Sequence, residues 1–274
     1  MTLKKISDIM NTGQEVVGMK KLIPVVVVLV LIIFVVAIGF GGQIINRYTY
    51  SQERADLKEY FKIEDDSLLP IIWQDAITED TLRFEQDSCY MEAGMADRYF
   101  GVEFYYDSAK DALLYTTATE VIRTTLGSNE YTGKEGVVTE KSALTLPRTE
   151  DGLIYINLDY LKMYANFSYE VIEQPKRVQI YTQWEERKVA DLKEDTSVRY
   201  QGGIKSPILE DVVAGQVLVI LEEMETWTKV KTNTGIIGYV EKKLLSDSRL
   251  EALTPVNSLS LPEFEPTLKD YRIS

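Results

Sequence analysis

Apolar and polar positions follow three different rhythms along this chain. Residues 22–40, LIPVVVVLVLIIFVVAIGF, are apolar throughout and carry no charge. At a helical rise of ~1.5 Å per residue such a run approaches the ~30 Å hydrocarbon core of a bilayer, so it predicts one transmembrane helix. Pro24 falls in the first turn, where a missing amide costs little. From residue 68 the rhythm shortens. "LLPIIWQDAI" and "TLRFEQDSCYME" are β-branched or aromatic runs bounded by polar residues, which predict strands. Nearer the carboxyl end the runs VRY, VLVIL, WTKV and IIGYV are edged by Gly202-Gly203, Gly215-Gln216 and Asn233-Thr234-Gly235. Short strands with glycine turns predict a small barrel over residues 187–247. Within "WTKVKTNTGIIGYV", residues 227–240, alternation puts Trp227 and Lys229 on one face and Thr228 and Val230 on the other. Val230 and Val240 are core candidates.

Between the apolar run and the barrel the pattern repeats. Residues 90–117 align with residues 155–182 at an offset of 65, pairing Tyr90 with Tyr155, Tyr99 with Tyr164, Val102 with Phe167 and Phe104 with Tyr169. Each copy predicts a strand, a helical turn or two, then a hairpin; Leu158, Leu161 and Tyr164 have helical spacing. A unit this small buries a core only when packed with a second copy. The predicted class is therefore a single transmembrane helix, an α+β domain of duplicated strand-helix-hairpin repeats, and an all-β SH3-like barrel. The expected boundaries are a cytoplasmic tail (1–21), anchor (22–42), stalk (43–66), duplicated domain (67–184), barrel (187–247) and proline-containing linker (248–274).

Composition narrows the chemistry. The 274 residues include no histidine, which removes the commonest general base and the commonest imidazole ligand for metals. The single cysteine, Cys89, allows no intrachain disulfide and no cysteine zinc site, and reads as a small buried hydrophobe. The net charge of −13 disfavours nucleic-acid binding. Residues 1–42 carry four Lys/Arg against two Asp/Glu, so the remainder holds the whole acidic excess and two charges more. Lys20 and Lys21 abut the apolar run, whereas the nearest basic residue beyond it is Arg47. That asymmetry predicts a cytoplasmic amino terminus, contact with the lipid bilayer through residues 22–40, and an extracytoplasmic body. The competing reading of the run is a cleaved signal peptide, whose apolar core is usually about 7–15 residues.

Three resemblances follow from these stretches and their order. Met91 to Tyr115 and Ile156 to Tyr181 resemble the small repeat of the copper amine oxidase amino-terminal-like domain, although Asn166 stands where the first copy has Gly101. Without histidine the resemblance implies no copper site. "SVRYQGG", "VAGQVLVILEEMETWTKVKT" and "TGIIGYVEKKLLS" resemble successive strands of a bacterial SH3-like domain. The whole layout resembles the non-catalytic front part of membrane-anchored bacterial family 18 glycoside hydrolases. The D-x-x-D-x-D-x-E motif of their catalytic barrel is absent from the sequence, and the nearest stretch in appearance, "DGLIYINLDY", does not match it. The final "KDYRIS" looks like the start of another strand.

The acidic clusters Asp65-Asp66, Glu185-Glu186 and Glu222-Glu223 with Glu225 read as solvated surface, because neighbours on a strand point to opposite faces. "YQGGIKSPI" lacks the spacing of a phosphate loop and reads as a barrel turn. The candidate ligand-binding residues are Tyr200, Lys205, Trp227 and Tyr239, the aromatic and basic groups of the barrel rim. No catalytic residue, cofactor or metal site is expected. The expected role is an envelope protein whose SH3-like barrel binds cell-wall peptidoglycan or peptide. The alternatives are the targeting half of a family 18 glycoside hydrolase, and a scaffold meeting other proteins through the sheet edges of residues 90–182.

Overall fold

The computed structural model describes residues 26–35 and 47–253. The chain divides into two units, residues 1–51 and 52–274. In the first unit residues 26–35 form a helix, α1, whose side chains are exposed. Among the described residues no helix is long and apolar enough to cross a membrane. At ~1.5 Å per residue the ten described residues of α1 account for about half the ~30 Å core. The remaining residues of the expected span, 22–25 and 36–42, lie outside the described residues, as do the tail (1–21), most of the linker (254–274) and the first part of the stalk (43–46). The expected fold class therefore needs correction. The described body is mostly β, in sheets of six, seven and five strands, and the predicted transmembrane helix and its bilayer contact have no support.

In the second unit the first three strands form a meander of β1 (Leu68–Trp73), β2 (Ala76–Glu85) and β3 (Ser88–Glu92). A helix then forms, α3 (Ala93–Phe100), with the short α2 (Leu57–Tyr60) lying earlier in the chain. The Glu92 carboxylate starts α3 by accepting from the N–H groups of Gly94 at 2.8 Å and Met95 at 3.0 Å. Gly101 ends it with φ +66, a left-handed cap that glycine adopts without steric cost. The chain next builds a five-stranded sheet from β4 (Tyr105–Asp107), β5 (Ala112–Thr116), β6 (Val121–Thr125), β7 (Glu130–Gly133) and β8 (Gly136–Thr139). It returns as β9 (Tyr155–Asn157), antiparallel to β3, and continues through α4 (Leu158–Leu161) into the hairpin β10 (Ser168–Ile172) and β11 (Arg177–Tyr181).

Elements related by 65 residues run in the same order, with α3 and α4 starting at Ala93 and Leu158, and β5 and β11 starting at Ala112 and Arg177. Their hairpins are used differently. The first begins the five-stranded sheet, whereas β11 pairs parallel with β1 and completes the six-stranded sheet β10-β11-β1-β2-β3-β9. Asn166 does not take the left-handed conformation of Gly101, and α4 is only four residues long. Ile71, Ile156, Leu158, Leu161 and Ile180 form the centre of this half's core, all essentially without solvent exposure.

Residues 186–252 form the seven-stranded sheet, which curls into a barrel: β12 (Glu186–Asp191), β13 (Thr196–Arg199), β14 (Ile208–Val212), β15 (Val217–Glu223), β16 (Trp227–Lys231), β17 (Ile237–Glu241) and β18 (Arg249–Ala252). Its core contains Val198, Leu218, Val230 and Val240, together with Phe61 and Ile72 from outside the barrel. Residues 53–63 do not stand free as a stalk. Ala55 N–H donates to Ile208 O and Ile208 N–H to Glu53 O, both at 2.8 Å, and Phe61 is 3% exposed. β18 lies inside the expected linker and pairs with β12.

The six-stranded sheet and the barrel meet through buried polar groups. Lys231 is 2% exposed, and its Nζ lies 2.6 Å from Gln74 O, 2.6 Å from Asp75 Oδ1 and 3.2 Å from both Gln179 Oε1 and the Tyr181 hydroxyl. Gln179 Nε2 donates to Ile72 O at 3.0 Å and Gln74 O at 2.8 Å. Arg177, also buried, donates through Nε to Thr234 O at 3.1 Å and through Nη1 to Pro175 O at 2.7 Å. Next to Thr234, Gly235 has φ +79, and a Cβ built there would lie 2.3 Å from Ile72 Cδ1. Two outcomes are expected in denaturant unfolding. Lys231→Ala lowers stability by about 2–3 kcal/mol, at or below the ~3–5 kcal/mol of a fully buried pair because the Asp75 side chain keeps part of its hydration. Gly235→Ala costs about 2–3 kcal/mol through backbone strain and the clash with Ile72.

Candidate functional site

β13, β17 and β16 are neighbours, with Arg199 opposite Tyr239, Tyr239 opposite Lys229, and Glu241 opposite Trp227. The pleat therefore places Trp227, Lys229, Tyr239 and Glu241 on one outward face, while Thr228, Val230 and Val240 point inward and are buried. Trp227 and Tyr239 are half-buried. The face is bordered by the loop of residues 200–207. Arg199 Nη1 donates to Ser206 O at 2.6 Å, Gln201 N–H to Ser206 Oγ at 2.7 Å, and Tyr200 N–H to Pro207 O at 3.0 Å, which fixes the loop. Gly202 lies close against the indole, where a Cβ would come within 3.1 Å of Trp227 Cγ.

Tyr200 is 49% exposed and sits edge-on to Tyr60 at 5.9 Å between ring centroids. The Tyr60 hydroxyl donates to Ile237 O at 2.7 Å and accepts from Ile237 N–H at 3.1 Å, and burial pushes it up to about 12. Lys205 is exposed within the same loop. Of the four predicted site residues, Trp227 and Tyr239 thus share one face, and Tyr200 and Lys205 belong to the loop beside it. Cys89 is 2% exposed, and burial pushes its thiol up to about 12, which leaves it without thiolate character near neutral pH.

Clefts elsewhere in the second unit include three that none of the four predicted residues lines. One of 420 Å³ is bordered by Glu140, Asn157 and Met163 in the first half. One of 270 Å³ runs beside Asp75 and Arg187, where the two halves of the second unit meet. The third, of 220 Å³, is at the end of the barrel between Ala190, Ile220, Thr228 and Asp247. At its rim Glu223 pairs with Lys188 and with Lys242, the latter at 2.9 Å. These two ammonium groups hold the Glu223 carboxyl at about 2. The acidic clusters noted in the sequence are all exposed. Among the described residues no group of three His, Cys, Asp or Glu side chains is placed to hold a metal ion.

Sequence reasoning passed over Thr228 and Asp247 as site residues. Thr228 carried a signal: alternation had already turned it inward beside Val230, and a hydroxyl in a core row is unusual. Asp247 carried none, since only the fold brings it to the barrel end.

Residues 194–246 match the family model of the bacterial SH3 domain. The match lies within the seven-stranded barrel, from the segment before β13 to the turn after β17. No curated protein and no solved structure matches the chain. The comparisons give no support to a copper amine oxidase-like region or to family 18 glycoside hydrolases.

The Glu223 clamp sets a pH dependence. Its folded carboxyl lies below the ordinary value of 4.5, so its contribution is complete above pH 4.5 and disappears as pH falls through about 2. In thermal melts Glu223→Gln is expected to lower the melting temperature relative to wild type at pH 6. That gap should close progressively between pH 4.5 and pH 2.

Proposed function

We propose that the chain is a non-catalytic binding protein of the bacterial envelope, working outside the cytoplasm, whose barrel holds cell-wall peptidoglycan or its peptide. The observation that carries this reading is the bacterial SH3 match at residues 194–246, since such domains commonly bind cell wall. The face of Trp227, Lys229 and Tyr239, with Tyr200 and Lys205 on the adjoining loop, supports it. Aromatic rings offer large contact area at low conformational cost, and the fixed loop pre-organises them. The lack of histidine in the sequence fits a part played without acid–base chemistry.

Sedimentation of the full chain with purified peptidoglycan tests the reading. Retention above a heat-denatured control is expected, falling by about tenfold in the Trp227→Ala/Tyr239→Ala double variant, the loss typical of interface aromatics. Retention no greater than the denatured control would remove the proposed role.

A further inference from the structure

We propose that the open end of the barrel is a second ligand site, one that takes the ammonium end of a short chain of small residues, as at a peptide amino terminus. The proposal does not depend on the wall-binding reading, because the cleft is lined by none of the residues assigned to the aromatic face.

Its starting point is Thr228. The residue is 1% exposed, on the inward row of β16, and its Oγ1 has no hydrogen-bond partner among the described residues. Buried hydroxyls are nearly always partnered, and an orphan one costs stability. Valine has the same shape and already occupies the next inward position, Val230. A threonine kept at this cost suits a hydroxyl that meets a ligand.

The surroundings say which ligand. Thr228 lines the 220 Å³ cleft, whose apolar lining includes Ala190, Ile220 and Leu245. That volume is below the ~300–1,000 Å³ of sites for drug-sized molecules, so only an end group enters. At one lip Glu223 is shared by Lys242, at 2.9 Å, and Lys188, so both ammonium groups are already paired. Asp247 stands in the lining with a carboxylate that forms no ion pair among the described residues. Its segment is held in place. Ser246 Oγ accepts from Asp191 N–H at 3.0 Å and donates to Asp247 O at 3.1 Å. A carboxylate, a hydroxyl and an apolar floor match an ammonium bearing a methyl-sized neighbour. The ammonium makes a charge-assisted bond to Asp247, its second hydrogen reaches Thr228, and the methyl lies on Ile220 and Leu245. Lys242, the basic residue of the lining, is held by Glu223 and is not turned to a ligand.

The test titrates the full chain with alanylglycine and with N-acetylalanylglycine, following the backbone amide chemical shifts of Thr228 and Asp247. Saturable shifts are expected with alanylglycine, and at least about tenfold weaker binding with the acetylated form. Thr228→Val should bind about fivefold or more weakly while melting at an equal or higher temperature. Asp247→Asn should bind weakly and melt as wild type. The proposal is overturned if neither amide shifts saturably, if both dipeptides bind equally, if Thr228→Val binds as wild type, or if it melts lower. Loss of peptidoglycan retention with dipeptide binding intact would count against the wall-binding reading alone.

Discussion

A lysine side chain can be shut away from water only if every proton on its nitrogen finds an acceptor and its charge finds an opposite. Lys231 meets both conditions only because two parts of the chain come together. The barrel supplies the ammonium group; the six-stranded sheet supplies Gln74 O, the Asp75 carboxylate, Gln179 and Tyr181. Arg177 makes the reverse connection from the sheet to Thr234 O of the barrel. Neither half satisfies these groups alone. That reciprocity explains why residues 52–274 hold together as one unit and why Ile72, a residue of β1, belongs to the barrel's core.

The same docking divides the β16–β17 hairpin into two ends. At the Lys231 end the outward face is covered by the neighbouring sheet, and Gly235 lies against Ile72. At the other end Trp227, Tyr239 and Glu241 keep part of their surface in water. The interface therefore leaves the Trp227 end of this face open to solvent. Thr228 adjoins that end but faces inward, so the outward aromatic face and the barrel-end cleft are reached from one stretch of strand by the alternation of the pleat.

Much of the local structure was legible in the pattern of residues. The turn glycines marked the barrel, and alternation assigned Val230 and Val240 to its core, where both are buried. The inward turn of Thr228 could be read in the same way, although its meaning could not. The apolar run at residues 22–40 misled the class. Hydropathy speaks to composition, and the helix described there spans only residues 26–35. Residues 53–63 misled differently. Their mixed charge resembles that of a solvated stalk, yet Phe61 among them is a core residue and the Ala55 and Glu53 backbone pairs with Ile208.

By itself the sequence determined which segments alternate, where glycine turns the chain, and which face of each strand is apolar. Those are short-range properties, set by side-chain period and by the backbone preferences of single residues. Tertiary structure alone decided that the second hairpin pairs parallel with β1 while the first starts a separate sheet, that Lys231 is buried, and that Asp247 stands in the same cleft as Thr228. These depend on partners distant in sequence, such as Gln74 and Lys231, whose meeting is favourable only after the surrounding sheets have formed and excluded water.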